Sequence, residues 1–74
     1  MTPKLPSFDA RQVISVLARH GFTLGRQSGS HAVFIHPGGR RTTVPIHGKR
    51  DLGKGLLRQI MRDAELTVDD MLRG

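Results

Sequence analysis

The stretch Arg26–Ile46, RQSGSHAVFIHPGGRRTTVPI, decides the fold. Its centre, HAVFIH, is β-branched and aromatic, and turn signals flank it: Ser28-Gly29-Ser30 before it and PGGR, residues 37–40, after it. Short apolar runs bounded by Gly, Pro and Ser read as strands joined by tight turns. Thr23–Gln27 before the first turn and RTTVPI after the second complete a three-stranded antiparallel meander. Pro45 has no N–H to give to a ladder, which places the third run at a sheet edge.

Working outward, the segment before the meander carries Ala10, Val13, Ile14 and Leu17 at the i, i+3, i+4, i+7 spacing of one helix face. Asp9 is its expected N-cap, with Gln12 as the capping-box partner. Gly21 suits the left-handed position that ends a helix, and Phe22 can pack back on Leu17. After the meander, HGKRDLGKG is a polar, Gly-rich loop. It leads into a second amphipathic helix defined by Leu56, Leu57, Ile60, Met61 and Ala64. Thr67 and Asp70 cap a last short turn. Residues 1–7, with two prolines, read as an extended arm, and residues 8–74 as a single domain. The fold class is α+β: α-β-β-β-α, with two helices covering one face of the sheet because neither can otherwise bury its apolar stripe. That order is the one found in double-stranded-RNA-binding domains.

Composition narrows the function. With 74 residues and no cysteine, neither a disulfide framework nor a thiolate metal site is available. No apolar run is long enough for a signal peptide or a membrane span, so a cytoplasmic protein with no membrane partner is expected. Twelve Lys and Arg oppose six Asp and Glu, and no acidic residue falls between Ala10 and Arg50. A positive field on so small a surface favours a polyanion or an acidic protein. No Trp or Tyr supplies a stacking platform, so recognition of nucleic acid rests on phosphates and shape. The four histidines match no zinc spacing, and no metal or other cofactor is expected.

His31 stands apart because a tight turn presents it. Gly29 leaves room for the backbone to approach a ligand, and histidine is the side chain suited to proton transfer near neutrality. RNA carries its own nucleophile, the 2′-hydroxyl. A histidine acting as general acid or base, with cations nearby, is a sufficient minimal ribonuclease. The plainer reading is a polar strand residue. Arg26 lies on the strand that pairs with His31 and is either a phosphate ligand or a solvent-facing arginine. Ser30 bonds a phosphate oxygen or merely closes the turn. Lys54 falls at a helix N-terminus, where a cation opposes the dipole unless an anion binds there. Lys49, Arg50 and Lys54 are therefore a candidate phosphate clamp, the alternative being a hydrated loop.

Taken together, Gly21-Phe22, Gly29-Ser30-His31, Phe34, His36-Pro37, Val44-Pro45, His47, Gly55 and the helix containing Ile60 resemble the HicA family of bacterial toxins. The similarity runs from about Val13 to Met71. It implies a double-stranded-RNA-binding-like fold and messenger-RNA cleavage without a metal. It also implies a catalytic role for His31 and a neutralising HicB-type antitoxin. Many members have a second histidine directly after the first; here that place is Ala32. The competing readings are a non-catalytic RNA-binding module of the same fold and a DNA- or protein-binding partner of an operon regulator. Direct DNA binding by this chain alone is not expected.

Overall fold

The computed structural model describes residues 5–73. Helix α1 spans Ala10–Arg19, strands β1, β2 and β3 span Thr23–Ser28, His31–Ile35 and Arg41–Pro45, and helices α2 and α3 span Lys54–Ala64 and Val68–Arg73. The strands form one antiparallel sheet in the order β1-β2-β3. The architecture is the expected α+β, double-stranded-RNA-binding-like one, with the last turn extended into a third short helix. Of the expected arm, residues 1–4 lie outside the described residues, while Leu5 is buried in the same core cluster as Phe8, the first residue of the expected domain.

Each helix starts and stops where its sequence provides a chemical reason. Asp9 Oδ1 accepts from the Gln12 amide at 2.8 Å, and Gln12 Oε1 accepts from the Asp9 amide at 2.9 Å. This reciprocal box satisfies two helix-end donors. At the other end Gly21 takes φ +90°, and the amides of Gly21 and Phe22 donate to the carbonyls of Ala18 and Leu17. That is the Schellman closure, with Phe22 folding back into the core. The same closure ends α2, where the amides of Glu65 and Leu66 donate to the carbonyls of Arg62 and Met61. Here, however, the left-handed position is held by Glu65, at φ 58°. A side chain with a Cβ is strained there, and a carboxylate at a helix C-terminus opposes the dipole. Glu65→Gly is accordingly expected to stabilise the fold by about 1 kcal/mol, a rise of about 4–8 °C in melting temperature. A thermal melt in which the variant is no more stable than the wild type would count against this account of the cap.

Helix α3 is capped in turn. The Thr67 amide donates to Asp70 Oδ2 at 2.8 Å, and the Asp70 amide donates to Thr67 Oγ1 at 3.0 Å. The bond from the Thr67 amide is the main reason the Asp70 carboxyl titrates below its ordinary value of 3.8, helped by the Thr67 hydroxyl and the charges of His20 and Arg73. A carboxyl with a depressed folded-state pKa adds stability above its unfolded pKa. That stability is lost as pH falls through the folded value, so this cap weakens only in acid.

The core lies between the helices and one sheet face. Val13, Val16 and Leu17 of α1, and Leu57, Ile60 and Ala64 of α2, meet Ala32, Phe34 and Val44 of the sheet. The even-numbered positions of β2 and β3 point inward and the odd-numbered ones outward. Cover by the helices is uneven: they pack against β3 and leave all six residues of β1 exposed. Leu24 pairs with the buried Phe34 and is still 53% exposed. The register of β1 also slips between Leu24 and Arg26, leaving Gly25 as an extra residue. A Cβ there would stand 2.3 Å from Ile35 Cδ1, so the bulge lets the Ile35 side chain lie across the strand.

His36 and Arg40 fasten the β2–β3 turn to the helices. Arg40 Nη1 donates to the Ala64 carbonyl at 2.7 Å, placing a cation on the C-terminus of α2. The guanidinium also lies over Phe22, 5.5 Å from the ring centre, and the Phe22 and His36 rings are 5.1 Å apart. His36 Nδ1 is 2.9 Å from the Gly38 amide and its Nε2 is 3.0 Å from Arg40 Nη2. A neutral imidazole has one acceptor nitrogen, so only one of these is a hydrogen bond in either tautomer. The cluster is structural, and it sits at the end of the sheet away from His31.

Candidate nucleic-acid interface

His31 opens β2 directly after a two-residue turn. Gly29 takes φ +59° and Ser30 has negative φ, the signs of a type II′ turn, whose sense matches strand twist. The Ser30 carbonyl accepts from the Ile46 amide at 2.6 Å, tying this turn to the end of β3. His31 is thereby held on the central strand, on the face that no helix covers, and it is exposed.

The register turns that open face into three cross-strand rows. One row is Ser28, His31 and Pro45; the next is Arg26, Val33 and Thr43; the third is Thr23, Ile35 and Arg41. Paired residues share a face, and successive rows are about 6.6 Å apart along the strand. Arg26 is therefore one row from His31, as its sequence position suggested. Arg41 lies two rows away, about 13 Å along the strand. Alternation separates the Arg40-Arg41 pair, sending Arg40 to the end of α2 and Arg41 to the open face.

Helix α2 closes one side of this face. Between it and β3 runs a groove of about 460 Å³. His31, Arg41, Thr43 and Pro45 form one wall, and Leu56, Gln59 and Asp63 the other. The last three are spaced i, i+3, i+7, one stripe of α2. Leu56 is 37% exposed, which corrects its assignment to the buried stripe: Leu57 enters the core and Leu56 faces the groove. Thr42 lies beneath and is 3% exposed; its hydroxyl donates to Asp63 Oδ2 at 3.1 Å. Asp63 Oδ1 accepts from Gln59 Nε2 at 2.9 Å.

None of the three predicted clamp residues, Lys49, Arg50 and Lys54, lines the His31 groove. Lys49 lines a different groove, of about 470 Å³, with Arg11, Ile14 and Ile46; none of its lining residues lines the His31 groove. Lys54 is the first residue of α2, whose N-cap Gly53 provides no side-chain cap. Arg50 is exposed, and its amide donates to the His47 carbonyl at 3.3 Å. Gly29 and Ser30 are exposed at the turn, and a Cβ on Gly29 would meet nothing within 4 Å. Arg41, Gln59 and Asp63 did not emerge from sequence reasoning. Strand alternation counted from an outward His31 identifies Arg41, whereas Gln59 and Asp63 depend on how α2 lies.

Among the described residues no group of three or more His, Cys, Asp or Glu side chains is placed to hold a metal ion. Nor is any helix among them long and apolar enough to cross a membrane. Comparison with curated proteins gives no match. The family model for the HicA toxin of bacterial toxin–antitoxin systems matches residues 10–66, the span from the start of α1 to just past α2. Its match takes in α1, α2, the whole sheet and the groove between α2 and β3, and the chain belongs to the HicA toxin family.

Proposed function

We propose that this toxin is a metal-independent endoribonuclease of messenger RNA, with His31 as its general acid or base, acting in the cytoplasm and neutralised by a HicB-type antitoxin. The observation that carries the reading is the placement of His31: exposed on an uncovered face, at one end of a groove, with arginines along the same face. In the reaction the RNA 2′-hydroxyl attacks the adjacent phosphorus and the bond to the 5′-oxygen breaks. His31 takes the 2′ proton or gives one to the leaving oxygen. Arg26, one row away, faces the charge that builds on the phosphoryl oxygens. Arg41 is too distant for that and holds a neighbouring phosphate of the strand. Gly29 and Ser30 border the scissile position, while Lys49, Arg50 and Lys54 extend the basic surface beyond the groove.

Two measurements test this. Purified protein should cleave RNA in the presence of a chelator and leave 2′,3′-cyclic phosphate and 5′-hydroxyl ends. Activity abolished by EDTA and restored by one divalent ion, or 5′-phosphate ends, would overturn the mechanism. Arg41→Ala should lower the slope of log affinity for single-stranded RNA against log salt by about 0.7, the value of one phosphate contact. Replacing Lys49, Arg50 and Lys54 together should lower it further, and a slope unchanged in both variants would show that these cations do not touch the backbone.

A further inference from the structure

The groove beside His31 contains a carboxylate, which is an odd lining for a phosphate channel. The chain has only six acidic residues, and Asp63 is half-buried in that groove. It makes no ion pair with another described residue. Its hydrogen bonds give it a purpose. A carboxylate has about four acceptor positions. One oxygen of Asp63 is taken by the Thr42 hydroxyl and the other by Gln59 Nε2. The first bond roots the carboxylate in the sheet. The second fixes the Gln59 amide with its nitrogen toward Asp63, so that Oε1 is left as an acceptor. The remaining lone pairs of Asp63 add to it. Within a strongly basic protein, this corner of the groove is rich in acceptors. One turn earlier on the same helix stripe, the exposed Leu56 offers an apolar surface next to it.

We infer that Gln59 and Asp63 form a base-reading subsite that favours the exocyclic amino group of adenine or cytosine over the carbonyl oxygen that uracil presents in its place. Amino groups of adenine and cytosine are the hydrogen-bond partners of Gln and Asp side chains. Uracil presents carbonyl oxygens on both sides of its single N–H, and those oxygens would face acceptors. Leu56 supplies the apolar contact for the base plane. Arg41 on the facing wall takes the phosphate. The inference rests on the proposed function, since it places the strand of a ribonuclease substrate in this groove.

The test is binding of eight-nucleotide oligo(A), oligo(C) and oligo(U) to the full chain carrying His31→Ala, followed by fluorescence anisotropy. The readout is the ratio of affinities for oligo(A) or oligo(C) over oligo(U), not the affinity itself. A ratio of about three to ten is expected, the worth of roughly one hydrogen bond. Gln59→Leu should bring it near one. Asp63→Asn keeps an acceptor for Thr42 and turns an N–H₂ toward Gln59, so the glutamine amide should reverse and the preference fall or swing to uracil. Asn at 63 also spares the buried Thr42 hydroxyl, which keeps the variant folded. Ratios unchanged in both variants, or affinities that drop uniformly for all three oligonucleotides, would overturn the subsite while leaving the ribonuclease reading intact. Failure of the His31→Ala chain to bind any of them would overturn both.

Discussion

His31→Ala should lower RNA cleavage by about 10²–10⁴-fold, the usual worth of a general acid or base, and should abolish growth arrest when the protein is induced without its antitoxin. The substitution is structurally mild. His31 is exposed on the open face, its ring makes no hydrogen bond to the described residues, and its neighbours in the row, Ser28 and Pro45, do not depend on it for burial. Alanine costs a little strand propensity and nothing in the core. The folded variant should therefore match the wild type in circular dichroism and melt within a few degrees. Binding should also survive, because Arg26 and Arg41 remain on the face. Loss of cleavage with retained RNA affinity separates a catalytic role from a binding role. Growth arrest at full strength by a folded His31→Ala protein would end the catalytic assignment and leave the non-catalytic RNA-binding module as the better reading.

The reason so much rests on one residue is visible in how the face is made. The meander was legible because HAVFI alternates between the two faces and each turn carries its own chemistry. From the alternation alone, if Ala32 and Phe34 are inside, then His31, Val33 and Ile35 are outside. The helix caps at Asp9, Gly21 and Thr67 were equally readable, since each is a local hydrogen-bonding pattern. What depended on tertiary packing was not readable. Leu56 and Leu57 both fit helical spacing with Ile60, and periodicity does not choose between them. Only the way α2 lies against β3 sends Leu57 inward and Leu56 to the groove. The second wall of the groove, and with it Gln59 and Asp63, was hidden for the same reason. Strand β1 offered no warning that it would be left uncovered, because TLGRQS has no alternation to read. The loop 47–55 reads as one basic unit because its cations are close in sequence. What that closeness does not tell is which groove they border, and in the structure Lys49 lines the one beside α1 while none of the three lines the His31 groove. The histidines divide in a similar way. His36 is engaged with Phe22, Gly38 and Arg40 at the far turn, so its place beside Pro37 is accounted for by packing.

A HicB-type antitoxin should associate with this toxin at least ten times more slowly at high salt than at low salt, while its dissociation changes little. The open face explains both halves of the expectation. Its middle strand presents the half-buried Val33 and the exposed Ile35, and the register sets Arg26 beside the first and Arg41 beside the second, on opposite flanks. An apolar centre with a cation on each side suits a partner that presents an apolar patch bordered by carboxylates. The arginines and the overall charge of +6 steer such a partner over long distances, and salt screens that attraction. Once docked, the contact around Val33 and Ile35 is held by burial of apolar surface, which salt does not weaken. His31 stands one row from Val33, so a partner docked there should also cover it and block the strand's path. Val33→Asp with Ile35→Asp should thus release the toxin from neutralisation by speeding dissociation, whereas Arg26→Ala with Arg41→Ala should mainly slow association. The two pairs of variants are to be compared by association and dissociation kinetics across a salt series. A complex in which His31 stays open to solvent and the groove stays clear would refute steric blocking, and the antitoxin would then have to act on the toxin's conformation from another surface.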